Sequence, residues 1–157
     1  MATEIERKFL VNVSELPEKL PSGYAIEQGY LSRKPSVRVR IKADRKMGGE
    51  TKAYFTIKGK GLIERPEFEY EIPVHDGVQL LNMCKTSLTK IRREIVYAGK
   101  TWEVDQFLQK LDGLWLAEIE LSDANEYVPL PPWVGKEVTE DPRFTNASLS
   151  EDGLPRW

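Results

Sequence analysis

The chain has 157 residues, with 23 Lys and Arg against 25 Asp and Glu and a formal net charge of -2. That length suits one domain around one core, residues 1–157, and a content of 40% hydrophobic and 31% charged residues excludes a disordered chain. No apolar run approaches the roughly 18 residues of a membrane span, the opening segment is charged rather than a signal peptide, and near-balanced charge argues against a nucleic-acid surface. From the N-terminus onward the main pattern is period-2 alternation, the mark of strands with one apolar and one polar face. Segment 4–9 sets Ile5 and Phe9 opposite Glu4, Glu6 and Lys8. Strands are then predicted at 24–31, 37–42, 53–58, 67–72, 89–98, 101–109 and 114–121. The count is roughly eight, joined by turn signals such as Met47-Gly48-Gly49, Ala98-Gly99-Lys100 and Leu111-Asp112-Gly113.

Helices are the minority. Residues 76–87 carry Val78, Leu80, Leu81, Met83 and Cys84, with Asp76 placed to cap the start. Short helices are predicted at 14–20 and 122–127, each opening on a Ser, with a last turn near 146–150. The run Pro129-Leu130-Pro131-Pro132 ends anything helical before it. The fold class is α+β, dominated by antiparallel strands.

Cys84 is a lone cysteine, which excludes an intramolecular disulfide and points to a reducing cytoplasm. His75 is a lone histidine, which excludes multi-His metal sites, and reads as a surface turn residue. Cys84 itself reads as part of the apolar helix face.

Alternating charge is usually the solvated face of a half-buried sheet. Here the signs are segregated by strand. Glu4 with Glu6, Glu103 with Asp105 and Glu118 with Glu120 form acidic pairs, while Arg38, Arg40 and Lys42, or Lys90 and Arg92, form basic ones. Residues i and i+2 share a strand face, so each pair repels unless something of opposite charge lies between its members. Carboxylates without His or Cys suit hard divalent cations such as Mg²⁺ or Mn²⁺. Rows of Arg and Lys suit phosphate. Both rows on one closed sheet would suit a metal–polyphosphate complex.

The segment Glu4-Ile5-Glu6-Arg7-Lys8 resembles the N-terminal Glu-x-Glu-x-Lys motif of the CYTH, or triphosphate tunnel metalloenzyme, superfamily. The resemblance continues in order through Gln28-Gly29-Tyr30-Leu31, Val37-Arg38-Val39-Arg40, Thr56-Ile57-Lys58-Gly59 and Arg65-Pro66-Glu67-Phe68-Glu69-Tyr70-Glu71-Ile72. It goes on through Lys90-Ile91-Arg92, Glu118-Ile119-Glu120 and the tail from Pro132 to Phe144, and so covers nearly the whole chain. It implies an eight-stranded antiparallel β-barrel, a tunnel with a charged interior and a few covering helices outside. By the same resemblance, Lys8, Arg38, Arg40, Lys58, Lys90 and Arg92 would grip phosphate. Glu4, Glu6, Glu118 and Glu120 would hold one or two divalent metals, Mg²⁺ or Mn²⁺. Lys8 and Tyr30 match a Lys–Tyr pair that some relatives place near the attacking water or leaving oxygen.

Other positions stay open at this stage. Glu67 and Glu69 are favoured as tunnel carboxylates with Glu71 at the rim, a register shifted by two being the alternative. Glu103 and Asp105 could bind metal, but counter-ions to Arg and Lys are preferred. Lys42 and Lys52, near strand ends, are expected in solvent. Arg143 could reach a phosphate or pair with Glu137 or Asp141, and Lys136 is given no role. Trp102, Trp115 and Trp133 are expected outside the barrel, and Trp157 frayed.

The resemblance implies a metal-dependent triphosphatase, with inorganic triphosphate cleaved to pyrophosphate and phosphate as the first expectation. Thiamine triphosphate, nucleoside triphosphates or ATP cyclisation are the nearest alternatives. A non-catalytic sensor of polyphosphate or nucleotide is the rival of another class. The expected partner is a small polyanion, with no nucleic acid and no membrane, and a homodimer stays open.

Overall fold

The computed structural model describes residues 2–44 and 50–156. The turn expected at Met47-Gly48-Gly49 and the frayed Trp157 lie outside the described residues. Strands β1 (Ala2–Val11), β2 (Tyr24–Arg33), β3 (Ser36–Asp44), β4 (Glu50–Lys58) and β5 (Glu64–Ile72) come first. Helix α1 (Val74–Met83) leads to β6 (Thr86–Tyr97), β7 (Lys100–Phe107) and β8 (Trp115–Glu120). A short strand β9 (Val134–Glu137) and helix α2 (Asn146–Asp152) close the chain.

The sheet order is β5-β4-β3-β2-β6-β7-β8-β1-β9, and β5 also pairs with β1. That extra pairing closes β1 to β8 into an eight-stranded barrel, leaving β9 as an added strand on β1. The pairings of the barrel are all antiparallel. Closure removes the exposed edges an open sheet would present.

Alternation then decides what lies inside. Outside the barrel, Phe9, Trp102, Val104, Ala117 and Ile119 pack with Val128 and Trp133 of the later loop. The Trp102 ring lies 5.6 Å from Phe9 and 5.7 Å from Trp133. Trp102 and Trp133 thus sit in the external core, with Trp115 packed against it, as expected. Helix α1 lies on the same outer side against β2, β3 and β4. Its approach is close: a Cβ on Gly77 would stand 2.6 Å from the Cβ of Ala53.

The inner face is apolar only at one end. Leu88, Phe107 and Leu116 continue the inward rows there and pack with Val138, Phe144 and Leu149 from the C-terminal segment. The tail therefore plugs that end, an arrangement not read from the sequence.

Three helix expectations change. In place of a helix over 14–20 there is a single 3-10 turn, Val13–Glu15, because Leu16 precedes Pro17 and is extended at ψ 151°. Segment 122–127 contains no helix, and Glu126 instead accepts hydrogen bonds from both the amide and hydroxyl of Ser122. In α1 the N-cap is Pro73 with no side-chain cap, so Asp76 lies within the first turn, where its charge suits the helix dipole. His75 is exposed and Cys84 caps the C-terminus of α1 half-buried.

Candidate active site

Register places the charged rows on one inner wall. Glu6 faces Glu120 and Lys8 faces Glu118 across β1 and β8. Glu103 faces Glu118 across β7 and β8, and Arg92 faces Asp105 across β6 and β7. Arg38 faces both Tyr30 of β2 and Thr56 of β4, and Glu4 faces Arg65 of β5. A one-residue slip in any strand would turn its whole charged row outward, so closure of the barrel locks the register.

A cavity of about 170 Å³ opens among these rows, lined by six acids, six Arg or Lys and Asn146. The acids include Glu4, Glu6, Glu118 and Glu120, and the bases include Arg38, Arg40, Lys58 and Arg92. A second, wider cavity of about 820 Å³ shares Arg38, Lys58, Arg65 and Asn146 with the first and adds Lys8 and Tyr30.

The electrostatics reflect crowding of charge out of water. Burial, then the neighbouring Glu118 and Glu4 carboxylates, push Glu6 up to about 8. Burial also works against ionisation of Glu118, but Lys8, Arg92 and Lys90 prevail and hold it well below the usual carboxylate range. A hydrogen bond to Glu4, with burial, raises Glu67 to about 7. Among the bases, burial followed by Arg40 lowers Lys42 to about 8, and burial followed by Arg38 lowers Lys58 to about 8. Burial followed by Arg38 likewise lowers Arg40 to about 10. Two buried donors, Nε of Arg38 and Nε of Arg40, have no acceptor. Orphaned buried donors are rare and call for a partner, and an anion in the cavity would supply one.

The carboxylate set fits a hard divalent cation in chemistry. Glu6 is held neutral by the very neighbours a cation would let it join, so a divalent ion between Glu6, Glu118 and Glu4 would relieve that repulsion. The arrangement is not a ready coordination cage: no group of three or more His, Cys, Asp or Glu is gathered to hold a metal among the described residues. Arg65 is the reason. Its Nη2 lies 3.0 Å from Glu4 and 3.1 Å from Glu6, and Lys58 Nζ stands 3.1 Å from Glu4. Cation binding requires these contacts to loosen.

Most of the residues singled out in the sequence converge. Glu4, Glu6, Glu118 and Glu120 share one cavity with Arg38, Arg40, Lys58 and Arg92, while Lys8 and Tyr30 line the other. Lys90 is different. It is fully buried in the wall, 2.9 Å from Asp105 and 3.1 Å from the Oδ1 of Asn146, and lines neither cavity. Asp105 is the counter-ion it was expected to be, receiving a two-pronged hydrogen bond from Arg92 at 2.8 and 2.9 Å. Glu103 pairs with the same guanidinium at 3.1 Å.

Several expectations are corrected. In β5 the cavity takes Arg65 and Glu67, whereas Glu69 is exposed and lies 4.0 Å from Arg38, the register alternative shifted by two. Lys42 lines the cavity, and Lys52 is half-buried with its Nζ 3.6 Å from Glu71, because closure brings the ends of β3 and β4 against neighbouring strands. Arg143 is exposed and paired with Asp141 at 2.7 Å, the ion-pair alternative. Arg65 and Asn146 were given no role from the sequence. Arg65 carried a signal, since it precedes the Glu67 row by two and so shares its face. Asn146 carried none.

The CYTH domain family model matches residues 2–151. The chain is 42% identical over 154 residues to an inorganic triphosphatase of Acetivibrio thermocellus, covering 95% of this chain and 94% of the relative. It is 36% identical over 157 residues to an inorganic triphosphatase of Nitrosomonas europaea, covering 94% and 97%. The crystal structure of an inorganic triphosphatase superposes with a TM-score of 0.63 at 31% identity, covering 96% of this chain and 95% of that one.

Proposed function

The chain belongs to the CYTH domain family, and from that premise we propose that it is a divalent-metal-dependent hydrolase converting inorganic triphosphate to pyrophosphate and phosphate. The observation that carries this reading is the pair of buried, unpartnered Nε donors on Arg38 and Arg40 inside a cavity that also holds six acids. The donors call for an anion and the acids for a cation, and metal–triphosphate supplies both.

In this mechanism Arg38, Arg40, Lys58 and Arg92 bind the phosphate oxygens and neutralise the charge that grows on them as the terminal phosphorus is attacked. Arg92 is held rigidly by Asp105, so it enters the site already oriented. Glu4, Glu6, Glu118 and Glu120 would hold the metal, Mg²⁺ or Mn²⁺, which would shield the triphosphate and lower the pKa of water at the site. Tyr30 and Lys8 line the wider cavity, and in this reading they act near the attacking water or leaving oxygen. Lys8 Nζ is meanwhile fixed by the carbonyl of Phe144 at 3.0 Å and by Glu118 at 3.5 Å. The whole acts as one domain over residues 1–157, in the cytoplasm, on a small polyanion rather than on nucleic acid or membrane.

A phosphate-release assay across triphosphate, thiamine triphosphate and ATP, with Mg²⁺ and then Mn²⁺, tests the reading. Turnover greatest on inorganic triphosphate is expected, and no turnover on any of them sinks it.

A sensor that binds the anion without cleaving it is the second reading. It is favoured by one observation, that Glu4 is tied to Lys58 and Arg65 as a plain counter-charge. Glu4→Ala separates the two. The hydrolase loses activity by a factor of roughly 100 or more with its fold intact, as for loss of a metal-site residue, whereas the sensor keeps or tightens anion binding.

A further inference from the structure

Twelve of the side chains lining the 170 Å³ cavity are charged and come from barrel strands, and one neutral side chain, Asn146, reaches in from α2. Asn146 also lines the 820 Å³ cavity, so it stands where the two share a wall. Its Oδ1 accepts a hydrogen bond from Lys90 Nζ at 3.1 Å. Burial lowers Lys90 to about 7, but its pairing with the Asp105 carboxylate at 2.9 Å favours the ammonium, which only donates, and so sets the amide oxygen toward it. The Nδ2 group therefore faces away from the lysine, and no protein acceptor takes it among the described residues. Lys90 cannot meet a ligand itself, being enclosed by Asp105, Asn146 and the Phe107 ring 5.5 Å away. Its charge reaches the cavity through the amide, which it polarises into a stronger donor. The position is well fixed. Thr145 caps α2 by accepting from the amide of Ser148 at 3.1 Å, and Arg33 of β2 donates to the Ser148 hydroxyl at 2.6 Å.

We propose that Asn146 is a substrate-binding residue: its Nδ2 donates to a non-bridging phosphate oxygen of bound triphosphate while its Oδ1 holds Lys90. The proposal rests on the reading of this cavity as the triphosphate site. It means that the C-terminal segment, besides plugging the barrel, completes the binding wall.

Asn146→Asp and Asn146→Ala test it by weakening binding while moving stability in opposite directions. An aspartate pairs with Lys90 directly and keeps the tail docked, yet sets a carboxylate where the phosphate oxygen lies. Thermal unfolding and calorimetric titration with triphosphate are read first without divalent metal, then KM and kcat with Mg²⁺. Asn146→Asp is expected to unfold at the wild-type temperature or above while its Kd and KM rise about tenfold or more, the size of a lost hydrogen bond to a charged group. Asn146→Ala is expected to raise both several-fold and to unfold earlier. Wild-type affinity in either folded variant overturns the proposal, because a purely structural clamp is served equally well by aspartate. A wild-type chain that binds no triphosphate in either titration overturns the function itself, a result distinct from equal binding by wild type and variant.

Discussion

Glu6 shows how the crowding of carboxylates in the cavity falls on a single group. Its ordinary value of 4.5 rises to about 8 in the folded chain, from burial and the nearby Glu118 and Glu4 carboxylates. Between those values the folded protein holds a proton that the unfolded chain has lost. Folding stability from this group is therefore fully present below about 4.5 and is lost as pH rises through about 8. Glu6→Gln is expected to unfold at the wild-type temperature near pH 4.5 and a few degrees above it near pH 8.5 in metal-free buffer. Mg²⁺ or Mn²⁺ should close the gap at the higher pH by stabilising the wild type. A difference in unfolding temperature that does not change with pH would mean that Glu118 and Glu4 do not raise Glu6, and would count against its proposed metal role. The residue types involved were legible from the sequence, since Glu4 and Glu6 share a face by alternation alone. Their ionisation was not, because it depends on Glu118, 112 residues away along the chain.

At the scale of elements, alternation located every barrel strand. The sequence placed α1 and α2 within a few residues but not the bounds of α1, and two further short helices did not form. A strand declares itself through its own period of two, whereas the ends of α1 are set by Pro73 and by the strands beneath it. Gly77 shows the strength of that packing. Alanine in a helix is favoured over glycine by about 1 kcal/mol, but here the added methyl would stand 2.6 Å from Ala53 on a strand that cannot move away. Overpacking costs about 1–3 kcal/mol, so the steric effect prevails. Gly77→Ala is expected to lower stability by about 1 kcal/mol in urea unfolding, and a gain in stability would mean α1 rides higher on β4. β9 escaped notice because Val134–Glu137 is short and pairs only with β1. The tail plug escaped because Phe144 and Leu149 become core only once the barrel end exists to receive them.

For the whole molecule, net charge is a poor guide to the partner. The chain total of -2 conceals a cavity in which six acids oppose six bases. Lys42 and Lys58, lowered to about 8 by burial and neighbouring Arg side chains, are half-protonated near that pH in the free protein. A bound polyanion favours the charged form, so triphosphate binding near pH 8 should draw protons from the buffer. Calorimetry in buffers of different ionisation heat measures this uptake. Lys42→Met should reduce it, and the difference should vanish near pH 6, where both lysines are already charged. Uptake unchanged in the variant would place the anion away from Lys42. Saturating triphosphate should also stabilise the fold, by about 2.7 kcal/mol at a hundred times Kd.

The sequence by itself determined the strands, the sign of each inner row and the family resemblance, because alternation and side-chain chemistry are local properties. Alternation left open which way the rows face, and the resemblance turned them inward. Only the tertiary structure decided that Lys90 is walled off behind Asp105 and Asn146, and that Arg65 occupies the place between Glu4 and Glu6. Those outcomes depend on closure of β1 against β5 and on the docking of the tail. Both bring together residues far apart in the chain, and burial then turns their mutual charge into the dominant force at the site.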